Sequence, residues 1–211
     1  METDNLVTLL AADTGSGRPV WPDLAVAALG PVFVAGSVFL MMLGIRPDLF
    51  SAVLAPMVVW KWLLPGFMVA SGIFLALTLS RPESRPIQAW LVVFLAAAFG
   101  AALFTTRAVV LPPTEWLAAI KGHTMLACLV SIIGLGLTGL IGGLAVLRRG
   151  ASTRPGLSGL AIGLGSGGAA AFLYALHCNQ DDPMFYVTWY GSAIVALGLI
   201  GAVLGRGFLR M

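Results

Sequence analysis

Residues Thr124 to Leu147 read TMLACLVSIIGLGLTGLIGGLAVL, without one charged side chain, and Arg148-Arg149 follows at once. A soluble helix of this length would carry a polar face, and this one is apolar all round. Its 24 residues rise about 36 Å as a helix, enough to cross ~30 Å of hydrocarbon. The rest of the chain has the same character. Of 211 residues, 59% are hydrophobic and only 10% charged, against about 25% in a soluble domain. That leaves too little polar surface to cover a soluble core. A soluble enzyme, a disordered regulator and a disulfide-stapled secreted domain are excluded, and one polytopic membrane domain remains.

Five further stretches have the required length and composition: Leu24–Ile45, Pro56–Leu79, Ile87–Thr105, Leu157–Leu176 and Phe185–Gly205. Arg46-Pro47-Asp48, Ser80-Arg81-Pro82-Glu83, Leu111-Pro112-Pro113-Thr114-Glu115, Arg148-Arg149-Gly150 and the run from His177 to Pro183 separate them. Prolines and clustered charges stop helices and stay in water. The expectation is an all-α integral membrane protein: a bundle of six transmembrane helices over 24–211, preceded by a short cytoplasmic amphipathic segment, 1–23. The start of the chain lacks the basic n-region and short apolar run of a signal peptide, so it is expected to be retained.

Basic residues set the orientation. With the N-terminus inside, Arg18, Arg81, Arg85, Arg148, Arg149, Arg154, Arg206 and Arg210 fall on the cytoplasmic side, and Arg46, Lys61, Arg107 and Lys121 outside. Eight against four predicts both termini in the cytoplasm, and the net charge of +3 fits basic inner loops rather than nucleic-acid binding. Lys61, between Trp60 and Trp62, is expected to snorkel from an aromatic belt. No span is expected to hold the buried charge that marks a proton or ion path, which argues against a pump or coupled transporter.

Gly163-Leu-Gly165-Ser-Gly-Gly168 matches a dinucleotide fingerprint in form only, because no strand precedes it. Together with the pairs Gly139/Gly143, Gly163/Gly167 and Gly201/Gly205, it predicts close helix packing.

The chemistry-bearing residues lie at one end. His123 and Cys128 open the fourth span; His177 and Cys178 close the fifth. All four are predicted to face outward. Cys128 and Cys178 would form a disulfide if their Cα atoms came within about 7 Å. The same thiols, with the imidazoles, would alternatively hold a heavy-metal or zinc-like ion, in no standard zinc spacing. The plainest alternative is a free helical cysteine and two interfacial histidines. No required cofactor is indicated, and Asp181 and Asp182, as harder ligands, are given a supporting role at most.

In the N-terminal segment, Thr3 or Asp4 would cap three helical turns. Leu6, Leu9, Leu10 and Asp13 then share one face with Asp4 at its head, a pattern suited to a partner's groove.

The run Phe172-Leu-Tyr174-Ala-Leu-His177-Cys178-Asn-Gln-Asp181-Asp182-Pro183-Met-Phe185, followed by Trp189-Tyr190-Gly191, resembles the signature of the NrsF family. So do the Thr3-Asp4-Asn5-Leu6 opening, Gly44-Ile-Arg46-Pro47-Asp48-Leu49, Cys128-Leu129, Arg148-Arg149-Gly150 and Arg154-Pro155. The resemblance implies an anti-sigma factor of the bacterial inner membrane, with about six spans. Such a protein holds an extracytoplasmic-function sigma factor on the cytoplasmic side and releases it under metal or oxidative stress. Its partners would be that sigma factor and the lipid bilayer, with no direct contact to nucleic acid. The family's paired cysteines match Cys128 and Cys178, while Asn179-Gln180 stands where proline and an acidic residue are expected. Two other readings are a quinone-linked membrane thiol oxidoreductase and a small channel or transporter. The first would be expected to show a Cys-x-x-Cys pair, and there is none.

Overall fold

The computed structural model describes residues 20–53, 55–79, 86–148 and 154–208. Among them are eight α-helices: α1 (Val20–Leu43), α2 (Leu49–Ala52), α3 (Pro56–Leu79), α4 (Ile87–Val110), α5 (Trp116–Lys121), α6 (Met125–Leu147), α7 (Pro155–Tyr174) and α8 (Pro183–Phe208). Six of them, all but α2 and α5, are long and apolar enough to cross a membrane. The all-helical class is as the sequence predicts. Asp4, Leu6, Leu9, Leu10 and Asp13 lie outside the described residues, as do Arg18, Arg81, Arg85, Arg149 and Arg210.

Several helix ends differ by a few residues from the expectation, as at the start of α1 and both ends of α7 and α8, and two of the differences have a plain physical reason. α4 continues past Thr105 to Val110. Arg107 in its last turn suits the negative end of the helix dipole, and the stop comes where Pro112 forces Leu111 into an extended conformation (ψ 135°). α8 begins at Pro183, not Phe185. Proline is tolerated at a first helical position, and Asp182 caps the helix by accepting the Met184 N–H at 2.9 Å.

α7 is the axis of the bundle. Of its apolar stretch, 78% is buried, against 17–33% in the other five long helices. It packs on α1, α3, α6 and α8, which is why small residues appear on every side of it. A Cβ at Gly159 would overlap the Gly201 carbonyl of α8, and one at Gly163 the Leu197 carbonyl. On the opposite side, a Cβ at Gly168 would meet the α3 backbone at Pro65 and Val69. The glycines therefore bring helix backbones together, as expected for membrane-type packing. α4 and α1 are peripheral: α4 lies against α3 and α8, and α1 mainly against α6.

Two apolar clusters fill the interior. One, around Leu24, Leu75, Leu79, Leu140, Leu144 and Leu197, occupies one end. The other surrounds Cys128, Tyr174, Cys178, Phe185, Tyr186 and Tyr190 at the opposite end.

Candidate functional site

At the thiol end the chain turns after α1 at Gly44, whose φ of +86° lies in the left-handed region that glycine adopts freely. The Gly44 carbonyl meets His177 Nδ1 at 2.8 Å. A carbonyl only accepts, so the ring proton sits on Nδ1. The Arg46 N–H donates to the Leu176 carbonyl at 3.0 Å. The end of α1 is thus sewn to the segment between α7 and α8.

Arg46 is 5% exposed and serves two carboxylates. Its Nε and Nη2 donate to Asp48 at 2.8 Å each, and Nη1 and Nη2 to Asp181 at 2.7 Å each. Planar guanidinium is suited to such paired recognition. The hydrogen bonds from Arg46 hold the Asp48 carboxyl down at about 2. Burial alone would raise the Asp181 carboxyl; the Arg46 hydrogen bonds and the Lys61 charge outweigh it and keep it below the usual range.

Lys61, on α3, has no exposed surface. Its Nζ donates to the Cys178 carbonyl and, at 3.0 Å, to Asp181, and lies 6.0 Å from the centre of the Tyr190 ring. This corrects two expectations. Lys61 does not snorkel to an interface, and a span-length helix does carry a buried charge. The reason is helical geometry: Trp60 and Trp62 lie about 100° to either side of Lys61, whereas Val58, Lys61, Pro65, Gly72, Leu75 and Leu79 form one buried stripe. The three-, four- and seven-residue spacing of that stripe was present in the sequence. The partner that neutralises the ammonium, 120 residues away, was not.

A further ion pair joins Arg107 Nε to Asp182 at 2.9 Å, tying α4 to the start of α8. Trp189 Nε1 donates to the Ile120 carbonyl at 2.7 Å and anchors α5. Asp48, Asp181 and Asp182 are therefore held by cations, and sequence reasoning gave Arg46, Asp48, Arg107 and Asp181 no such role. One signal was available: this end contains Arg46, Lys61, Arg107 and Lys121 against Asp48, Glu115, Asp181 and Asp182, an even balance that invites pairing.

Beneath the ion pairs are the thiols. Cys128 heads the buried stripe of α6 that continues through Ile132, Leu135 and Gly139; Cys178 lies just past α7. Both are free and buried, at 0% and 4% exposure. They share one core cluster and are close enough to interact electrostatically with each other and with Tyr190. The imidazoles are elsewhere. His177 packs edge-on against Phe39, with ring centres 5.4 Å apart, and His123 is exposed in the turn before α6. Among the described residues no three His, Cys, Asp or Glu side chains form a group that could hold a metal ion. Two thiols suit a disulfide or a two-coordinate soft ion, not the four donors of a structural zinc site. Among the described residues, the buried Thr124 hydroxyl and Trp62 indole nitrogen have no hydrogen-bond partner.

Comparison with known proteins places this arrangement. The family NrsF, described as negative regulator of sigma F, matches residues 10–211, a range that contains the whole cluster. The chain is 39% identical to the anti-sigma-F factor NrsF of Caulobacter vibrioides (strain NA1000 / CB15N), with all of both chains covered. It is 33% identical to the probable anti-sigma-F factor NrsF of Azospira oryzae (strain ATCC BAA-33 / DSM 13638 / PS), again over the full length of both. No solved structure matches. This chain, an all-helical protein with a paired-thiol and ion-pair cluster at one end, belongs to the NrsF family of negative regulators of sigma F, which are regulators and not enzymes.

Proposed function

We propose that the chain is an anti-sigma factor of the bacterial inner membrane. It holds an extracytoplasmic-function sigma factor at the cytoplasmic face and releases it when Cys128 and Cys178 react at the outer face. Membership in the family carries the first half of the reading, with two full-length relatives named as anti-sigma-F factors. The basic excess on the opposite loops supports the orientation. The amphipathic run of Asp4, Leu6, Leu9, Leu10 and Asp13 is the segment that docks on the sigma factor.

The buried thiol pair supports the second half. A thiol in apolar surroundings is inert, so reaction at Cys128 and Cys178 requires this end of the bundle to open; either a disulfide, formed as a thiol oxidant takes two electrons and two protons from the pair, or a soft ion bridging the two thiolates after they lose their protons, then holds it open. Moving a switch from 1:99 to 99:1 takes about 5.5 kcal/mol of differential stabilisation, within reach of covalent or thiolate–metal bonding. The test is the Cys128→Ser/Cys178→Ser variant expressed in the native host. It is expected to keep the sigma factor bound under a thiol oxidant or a soft metal salt that releases it from the unsubstituted chain. Normal release from the variant would overturn the sensing role.

A further inference from the structure

Among the described residues, Lys61 is the charged side chain with no exposed surface. A buried ion pair stabilises a fold little compared with apolar side chains of the same volume, yet losing one partner is strongly destabilising. A pair of this kind makes a conformation conditional on the partner being in place. Here the fully buried member is Lys61; its partner Asp181, 28% exposed, is carried by the same short segment as Cys178, and Lys61 also binds the Cys178 carbonyl. Moving Cys178 away therefore strips Lys61 of both partners at once, leaving only the Tyr190 ring nearby. Asp181 is in turn gripped by Arg46, two residues beyond the Gly44 turn that ends α1. The thiol segment and the turn that ends α1 share four ties: Arg46 to Asp181, Arg46 Nη1 to the Cys178 carbonyl at 3.4 Å, the Arg46 N–H to Leu176, and His177 to Gly44.

We infer that Lys61 and Asp181 form a two-state latch that couples the Cys178 segment to α1. Closed, the pair seals the thiols beneath Arg46. Open, Lys61 is unpaired and draws in water, Arg46 loses Asp181, and α1, the helix that follows the N-terminal segment, is freed at its far end. Lys61 is here a positioning residue and touches no signal. The output of the latch rests on the anti-sigma reading; its existence does not.

The test uses the full chain in detergent with Cys128→Ser, so that Cys178 alone reports through its rate of labelling by a maleimide. Asp181→Asn leaves Lys61 buried without its counter-charge and is expected to speed labelling at least about tenfold, since removing one partner of a buried pair is costly. Adding Lys61→Met removes the stranded charge and is expected to restore slow labelling. A role limited to holding elements together would make the double variant at least as open as the single. Labelling unchanged by Asp181→Asn, or a double variant as fast as the single, would overturn the latch. Should Asp181→Asn not accumulate in membranes, accumulation becomes the readout: recovery in the double variant supports the latch, and loss in both overturns it. In parallel, the same variants without the Cys128 substitution are assayed for sigma factor capture, with Asp181→Asn expected to lose it and the double to regain it. A wild-type chain that captures no sigma factor defeats the anti-sigma reading while labelling still decides the latch.

Discussion

Arg46 binds two carboxylates with one planar fork, and the spacing of its donors is what lets both Asp48 and Asp181 pair at 2.7–2.8 Å. Arg46→Lys keeps the charge but offers a single ammonium, so at least two of the charge-assisted hydrogen bonds are lost. The expected cost is about 1–3 kcal/mol, or a fall of very roughly 2–12 °C in melting temperature in detergent at this chain length. An unchanged melt would show that the fork is dispensable. The same residues set the pH response. Asp48 and Asp181 have folded-state carboxyl values lowered from 3.8. Lowered values add stability above the unfolded value and lose it as pH falls through the folded one. Asp48 fixes the window: the melt should be flat from about pH 5 upward and fall between about pH 4 and 2. A transition near neutrality would contradict the assignment. At this scale the thiols were legible in the sequence because they sit at the ends of unmistakable apolar runs. The burial of Lys61 was not, because its counter-charge lies 120 residues away and only the fold brings them together.

At the scale of the element, α7 shows why small residues matter more than hydrophobicity in such a bundle. Lipid tails are as apolar as leucine, so in a bilayer the hydrophobic effect gives helices little reason to associate and close packing takes its place. Gly163 lies where an added Cβ would overlap the backbone of α8 at Leu197 and Gly198, whereas Gly134 on α6 has nothing within 4 Å. Gly163→Ala should therefore cost about 1–3 kcal/mol by overpacking. Gly134→Ala should be neutral or stabilising by up to about 1 kcal/mol, from helix propensity. Thermal melts of the two variants side by side check this, and equal effects would refute the packing assignment. The centres of the six long helices were readable from composition. Their ends were less so: the extra turn of α4 depends on Leu111 being forced extended before Pro112, and the start of α8 on the Asp182 cap, both local interactions that hydropathy does not register.

Over the whole molecule the charges are sorted into two regimes. At the thiol end, four basic and four acidic residues balance; six of the eight are ion-paired, and of these the Arg46 and Lys61 side chains are buried. At the other end, among the described residues, Arg148, Arg154 and Arg206 stand against Asp23, a basic excess that suits the cytoplasmic face of the proposed function. Under the proposed function, a signal at the buried thiols would pass through the Asp181 segment and Arg46 to α1. That route requires the N-terminal segment to be the part that grips the sigma factor. The most direct measurement is capture of the sigma factor from solubilised membranes by the full chain and by a chain lacking residues 2–13, with equal amounts of each in the membrane. The expected result is a sigma factor retained by the full chain and lost from the shortened one. A shortened chain that retains it undiminished, or a full chain that retains none, would contradict the proposed function.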